Sequence, residues 1–530
     1  MTGCTAFLPV HVPANRSAAD SDADGGILVS SLAPKKSATL ERYYAQTASW
    51  HQCHSGLYCA TIHVPVDWQH ISSQSISLAL IEHRPRGTSR GTVVMDPGGP
   101  GESGVSLLAD SIENVVDERL AASYTVVAFD PRGVGLSAPV ACLSPAATDT
   151  YLYGIEPGTI GSATWIASEK AKSRALESSC EKHTGPVLDH IDSVNAAADM
   201  DLIRAALGEK KLNYLGYSYG TYLGTLYAGL FPHSVGRMVL DGAEDPWGDN
   251  FVPEDGPPSA SGDEFGTSPD VDSSVAQAQG FEQNLNAFIR SCLKNDWEAV
   301  GTLHCPFTST FAKARKQIEQ VFAKVNVHPL LGDDGRRLGG ATLATAIDQT
   351  LYDKSDWPKL AKIFVQLKTG NPTEAFVEAD AYNGRNSSGR YDDNQEFAGL
   401  AIDCLEGGST VELSFDRREA KELRKVAPIL GIYSGYGDLV CSGWADGPSP
   451  FPNPIHAKGT GPILVLGTTD DPATPYQDAK SLAQQLDGGH LVTLHGTGHL
   501  AYDLGNSCID TTVDAYFLNG TVPARDPDCI

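Results

Sequence analysis

Gly216-Tyr217-Ser218-Tyr219-Gly220 follows the mostly apolar run 212–215 and precedes a helical stretch. The run reads as a buried strand and the pentapeptide as a nucleophile elbow, a sharp strand-to-helix turn with the serine at its corner. Glycines flank the serine because a Cβ at either position would clash where the backbone doubles back. The hydroxyl is thereby exposed at the end of a strand, with a helix N-terminus behind it to favour developing negative charge. The pentapeptide alone is a common pattern, so its reading depends on what the rest of the chain brings to it.

A serine hydroxyl is a weak nucleophile at neutral pH. It needs a histidine base, a carboxylate to orient that base and two N–H donors for the oxyanion. In α/β-hydrolases the acid and then the histidine follow the serine, on loops after late strands. Residues 462–466 form an apolar run ending in Gly467-Thr468-Thr469-Asp470-Asp471-Pro472, and residues 490–494 one ending in His495-Gly496-Thr497-Gly498-His499. Each strand delivers its polar residue at its carboxyl end, where ligands bind in open α/β sheets. Adjacent side chains diverge, so one of Asp470 and Asp471 holds the imidazole. Asp471 is favoured because Pro472 fixes the turn after it, and Asp470 reads as a solvated loop acid. His499, beyond the strand end and preceded by Gly498, is favoured over His495, which reads as structural. The oxyanion donors are expected to be the amides of Tyr219 and Gly99, the latter in the glycine- and proline-rich loop that follows the strand at 91–95.

With these residues placed, the chain resembles the prolyl-aminopeptidase-like peptidases of the α/β-hydrolase fold, and within them the actinobacterial tripeptidyl-aminopeptidase branch. Pro97-Gly98-Gly99-Pro100-Gly101-Glu102-Ser103-Gly104 resembles that branch's oxyanion signature, and Phe129-Asp130-Pro131-Arg132-Gly133-Val134-Gly135-Leu136-Ser137 its fourth-strand motif. Leu215-Gly216-Tyr217-Ser218-Tyr219-Gly220-Thr221 is similar to its elbow, and Asp471-Pro472-Ala473-Thr474-Pro475-Tyr476 to its acid loop. Cys508-Ile509-Asp510 and Tyr516-Phe517-Leu518-Asn519-Gly520-Thr521 resemble its C-terminal segment, so the likeness runs from about residue 50 to the end. Asp96 departs from the Asn or His usual before the Gly-Gly-Pro-Gly core, which alters loop hydrogen bonding but not the donor amides. The family acts on peptides and on esters, so the resemblance implies the reaction type more firmly than the substrate.

Strands are expected at 59–66, 76–82, 91–95, 124–129, 212–215, 237–240, 462–466 and 490–494. Interleaved with helical patterns, they predict a doubly wound, mostly parallel eight-stranded sheet of the α/β-hydrolase fold, its first two strands an antiparallel hairpin. From 245 to about 458 helical periodicity replaces the strand pattern, with helices expected at 274–294, 307–325, 341–353, 357–368, 394–405 and 416–426. The division is therefore a tether at 1–45, a first core segment at 46–245, an inserted helical cap (lid) at 246–458 and a second core segment at 459–530. Residues 251–272, rich in Pro, Ser, Gly and acids, are expected to form a mobile loop at the cap mouth.

The net charge of −26 opposes nucleic-acid binding, which needs a basic surface. No run of eighteen apolar residues spans a membrane. The 11 cysteines fall in pairs along the chain: Cys53 with Cys59, Cys142 with Cys180, Cys292 with Cys305, Cys404 with Cys441, and Cys508 with Cys529. Read as disulfides, they imply an oxidising, extracytoplasmic compartment. The remaining Cys4, in Met1-Thr2-Gly3-Cys4, resembles the lipid-bearing cysteine at the end of a bacterial lipoprotein signal, without the usual apolar segment before it. It is the candidate for lipid and membrane attachment, the alternative being a stray thiol; residues 15–37 behind it have a tether-like composition.

The chemistry expected is acyl transfer by Ser218, His499 and Asp471, with neither metal nor organic cofactor. The substrate implied by the resemblance is a peptide or protein with a free amino terminus, cleaved by a monomeric enzyme. An aminopeptidase needs an anion for the substrate ammonium, and Glu102, Glu244 and Asp245, on loops at strand ends, are the candidates. An esterase or lipase with the same triad is the competing enzyme reading; it would show an apolar acyl tunnel instead. A catalytically silent binding protein would need a broken triad.

Overall fold

Sheet residues alternate between two hydrophobic cores. In β4 (Thr92–Asp96) Val94 enters one core while Val93 and Met95 enter the other. The same alternation holds for Val127 against Val126 and Ala128 in β5 (Thr125–Phe129), and for Tyr214 against Leu215 in β6 (Leu212–Tyr217). A strand's period of two puts successive side chains on opposite faces, and helices cover both, so these strands read as continuous apolar runs.

The computed structural model describes residues 37–72, 74–246, 269–294, 304–307, 310–407, 411–444 and 455–530. Cys4, residues 1–36 of the expected tether and most of the expected mobile loop (251–268) lie outside them; the end of the expected tether is instead a helix, Ala38–Tyr44, that buries Leu40 in a core of the main sheet. The remaining strands are β1 (His51–His54), β2 (Leu57–Pro65), β3 (Ser75–His83), β7 (Val235–Asp241), β8 (Leu330–Leu331), β9 (Arg337–Leu338), β10 (Ile463–Asp470), β11 (Gly489–Thr497) and β12 (Asp528–Cys529). The main sheet has the order β1-β2-β3-β5-β4-β6-β7-β10-β11-β12. From β5 to β12 its pairs are parallel, and β1, β2 and β3 add an antiparallel edge. It thus has ten strands rather than the expected eight, because short β1 and β12 extend its two edges. β8 and β9 form a separate hairpin within the stretch expected to be wholly helical.

Among the described residues, the helices between β7 and β10 fall into two groups, apart from Leu413–Val426, which packs in small clusters of its own through Ala420 and Leu423. Pro269–Lys294, Phe311–Val327, Gly340–Leu351, Trp357–Lys368 and Thr373–Tyr382 supply a third core around Leu285, Phe288, Ile347 and Phe364. The helix Gln395–Gly407, expected to belong with them, instead sends Phe397, Ala398, Ala401 and Leu405 into a core of the main sheet. Its neighbour Asn394 fixes it there. The Asn394 side chain donates to the carbonyls of Gly133 and Val140 at 2.8 and 2.9 Å and accepts from Gly135 N–H at 2.8 Å. All five expected cysteine pairs are bonded. One of them, Cys404–Cys441, anchors this same helix.

The motif after β5 is a scaffold. Arg132 is fully buried and its five N–H groups are all used, on Asp199 and on the carbonyls of Pro65, Val66 and His190. Asp130 accepts from the Ser103 hydroxyl and from the N–H of Val105 and Leu136 at 2.6–3.0 Å, tying the β4 and β5 loops together. A buried charge survives only when paired and hydrogen-bonded, as Arg132 is with Asp199, while Asp130 is held by three donors with burial raising its carboxyl.

Candidate active site

Ser218 stands between β6 and the helix Tyr219–Leu230 with φ 52° and ψ −126°, a region that costs a non-glycine residue about 1–3 kcal/mol. Its neighbours hold it there. Ser218 N–H donates to the Asp241 carbonyl at 2.9 Å, Thr221 Oγ1 donates to the Ser218 carbonyl at 2.6 Å, and Tyr214 Oη donates to the Gly220 carbonyl at 2.7 Å. The flanking glycines are needed for space: a Cβ on Gly216 would stand 2.4 Å from the Gly220 oxygen, and one on Gly220 would stand 2.6 Å from the Asp96 oxygen.

The acid and histidine loops meet at the same sheet edge. His499 Nδ1 lies 2.9 Å from both oxygens of Asp471. Those oxygens also accept from Ala473 N–H, Thr474 N–H, Thr474 Oγ1 and Leu500 N–H at 2.9–3.2 Å. Asp470 is exposed, and its carbonyl rather than its carboxyl is engaged, by the Asn284 side chain. His495 is paired with Asp528 at 2.5 Å on the surface. Ser218, Asp471 and His499 are 4–6% exposed. A Cβ on Gly242 would be 3.0 Å from His499 Cε1, and Ser218 N–H bonds the preceding residue, so serine and imidazole address one strand end.

Residues outside the expected set support the histidine. Its backbone N–H donates to the Tyr352 carbonyl at 2.8 Å, and the Tyr352 ring packs edge-on against the imidazole. Asp241 accepts from the N–H of Ala501 and Tyr502, fixing the loop behind His499. Burial pushes the Asp241 carboxyl up to about 6.

The loop after β4 lies against the elbow. Gly98 and Gly99 have φ 102° and 110°, and a Cβ on Gly98 would be 2.5 Å from the Tyr217 oxygen and 3.0 Å from Tyr219 N. Gly98 N–H is committed to Asp96 Oδ1 at 3.0 Å. Among the described residues, the N–H groups of Gly99 and Tyr219 have no such acceptor. Gly101 abuts the helix Gln395–Gly407, where its Cβ would stand 2.5 Å from the Gln395 oxygen.

Two unexpected carboxyls of that helix, Asp403 and Glu406, lie near Glu244. Burial raises Glu244 to about 7, with His499 opposing the rise and Glu406 and Asp471 adding to it. Glu406 also stands at about 7 through burial, although Ser193 N–H donates to it at 2.6 Å. Asp403 is pushed well up by burial and by the charges of Glu406 and Glu244. Asp403 and Glu406 are three residues apart on one helix face, the spacing that could have revealed them. Of the other expected acids, Asp245 accepts from Gln485 Nε2 at 2.8 Å, and Glu102 closes its loop through its own N–H on the Gly98 carbonyl.

The sheet order and the elbow define a hydrolase of the α/β-hydrolase fold. Residues 91–268 match the family model described as alpha/beta hydrolase fold, and residues 427–529 match that of TAP-like proteins. Serine protease Hip1 of Mycobacterium tuberculosis is 33% identical over 91% of each chain. Tripeptidyl aminopeptidase of Streptomyces lividans is 31% identical over 89% of this chain and 83% of its own. Carboxylesterase B of M. tuberculosis is 32% identical over 92% of this chain and 90% of its own. The chain belongs to this family of α/β-hydrolase-fold serine hydrolases, and it is a serine peptidase by its kinship with Hip1 and the tripeptidyl aminopeptidase.

Proposed function

We propose that this protein is an extracytoplasmic exopeptidase that releases short peptides, tripeptides foremost, from free amino termini through an acyl-enzyme on Ser218. His499, oriented by Asp471, takes the serine proton as Oγ attacks the carbonyl. The amides of Gly99 and Tyr219 receive the oxyanion, and the imidazolium returns its proton to the leaving amine. Water then attacks the ester by the same route in reverse, with no cofactor.

The observation that carries the exopeptidase reading is the half-buried cluster of Glu244, Asp403 and Glu406, of which Glu244 neighbours His499. Crowded together and partly desolvated, these carboxyls are held well above the usual carboxylate range, Glu244 and Glu406 at about 7. A substrate ammonium lets them ionise and repays their burial, so a free amino terminus is preferred to a blocked one. Tripeptide release rests on kinship with the Streptomyces enzyme of that name. An extracytoplasmic location rests on the five disulfides, with Cys4 as the candidate lipid anchor. Among the described residues no helix is long and apolar enough to cross a membrane. The competing reading, a carboxylesterase using the same triad, is favoured by kinship with Carboxylesterase B.

Mass analysis of the products from one peptide with a free and with an acetylated amino terminus separates these readings. We expect a tripeptide from the free peptide, at least tenfold slower cleavage of the acetylated one, and no product from Ser218→Ala. Equal cleavage of both peptides, or turnover of short p-nitrophenyl esters with none of peptides, would assign the site to the competing chemistry.

A further inference from the structure

Asp96 ends β4, directly beneath the loop and the elbow described above. It is fully buried. Oδ1 accepts from Gly98 N–H at 3.0 Å, while the buried Oδ2 has no hydrogen-bond partner among the described residues. The carbonyl of Asp96 lies where a Cβ of Gly220 would be, 2.6 Å away, so this residue packs on the first turn of the elbow helix. The groups facing it are Asp130 from the loop after β5, Tyr214 from β6 and Tyr219 from the elbow helix. The charged one among them, Asp130, is acidic.

A carboxylate needs solvent, a cation or several donors to stay ionised, and here one N–H stands against burial and a second acid. Burial and the neighbouring Asp130 accordingly raise Asp96 to about 8. The consequence reaches the chemistry. The helix N-terminus that Asp96 packs against is the one that would stabilise the oxyanion at Tyr219 N–H. A second negative charge there would oppose the charge that develops in the transition state.

We propose that Asp96 is a positioning residue that works as a neutral acid: its carboxyl carbonyl holds Gly98 N–H and so aims the Gly99 amide, and loss of its proton at alkaline pH disables the oxyanion site. The inference rests on Ser218 being the nucleophile, and its test keeps the two questions apart. The rate at which a neutral alkyl fluorophosphonate modifies Ser218 is followed by intact mass from pH 6 to 10. This probe has no amine, so substrate titration does not enter.

In the wild type the rate is expected to fall about 16-fold from pH 8 to 9.5, as a single controlling ionisation near 8 requires. In Asp96→Asn, which cannot ionise, the ratio of the two rates stays near one. Asp96→Ala, which loses the acceptor for Gly98 N–H, is slower at every pH, and Asn restores part of that loss. An equal alkaline fall in Asp96→Asn, or a wild-type rate that holds to pH 10, overturns the proposal.

Thermal stability gives an independent reading. A raised folded-state value means that the native protein keeps a proton the unfolded chain releases near pH 4, so Asp96 weakens the fold progressively from about pH 4 to 8. The midpoint of Asp96→Asn relative to wild type therefore rises between pH 5 and 8.5, and a constant difference refutes the neutral acid. If no adduct forms on Ser218 at any pH, the nucleophile assignment fails while this comparison still decides the state of Asp96.

Discussion

Replacing Asp471 with asparagine changes one atom and reverses the proton logic of the imidazole. Oδ1 of Asp471 receives the N–H groups of Ala473 and Thr474, so the amide oxygen of an asparagine takes that place. The amide nitrogen then occupies the place of Oδ2, facing Leu500 N–H, Thr474 Oγ1 and His499 Nδ1. It donates to Nδ1, which forces the ring proton onto Nε2, and Nε2 can no longer accept the serine proton. In a serine triad the wrong tautomer lowers turnover by about 10⁴, roughly 5 kcal/mol of transition-state stabilisation. Leu500 N–H is left against a donor, costing a further ~1–3 kcal/mol of stability. Turnover of a free tripeptide anilide at pH 7.5, with thermal denaturation alongside, reads both effects. Asp241→Asn is the control, because that carboxylate bonds the backbone behind His499 rather than its ring. Turnover of Asp471→Asn within tenfold of wild type, or a 10⁴ loss confined to Asp241→Asn, would refute the assignment.

Glu244→Gln and Glu406→Gln should each raise KM for free peptides by about 2–5 kcal/mol equivalent, the usual effect of removing one partner of a buried charge pair, and leave acetylated peptides unaffected. Because these acids stand at about 7 in the free protein and must be ionised to bind an ammonium, wild-type KM for free peptides should rise as pH falls from 7 to 5.5; a flat profile opposes the assignment. Gly101→Ala imposes a side chain at φ 99° and 2.5 Å from the Gln395 oxygen, a cost of at least ~1–3 kcal/mol from the backbone alone, and should lower both melting temperature and turnover. Arg132→Met leaves Asp199 buried and unpaired; denaturant titration should show a loss of about 3–5 kcal/mol.

The parts of the site that were readable in the sequence are those written in single loops. The elbow, the acid loop and the histidine loop each combine an apolar strand with a local turn, and strand ends project their residues to one edge whatever the neighbouring strands do. Choosing Asp471 over Asp470 and His499 over His495 used the same local cues, and the structure joins that pair through two 2.9 Å contacts. What escaped depends on distant partners. β12 is two residues long and exists because it pairs with β11, so no periodicity announces it. The apolar face of Gln395–Gly407 looked like that of any cap helix; Asn394 and the Cys404–Cys441 bond place it on the sheet core. Glu406 and Asp403 stand out only because Glu244, far away in the chain, lies near them. The helix Thr373–Tyr382 went unnoticed because its first turn packs on Gln366, whose side-chain oxygen accepts from Glu374 N–H.

In the proposed mechanism Ser218 carries the amino-terminal fragment of a peptide as an ester during turnover. Rapid acid quench of the enzyme with a free-amino tripeptide ester, followed by peptide-level mass spectrometry, tests it directly. A tripeptidyl adduct is expected on the Ser218 peptide, decaying with turnover and missing from Ser218→Ala and from the acetylated substrate. An adduct on another residue, or full turnover by Ser218→Ala, would contradict it.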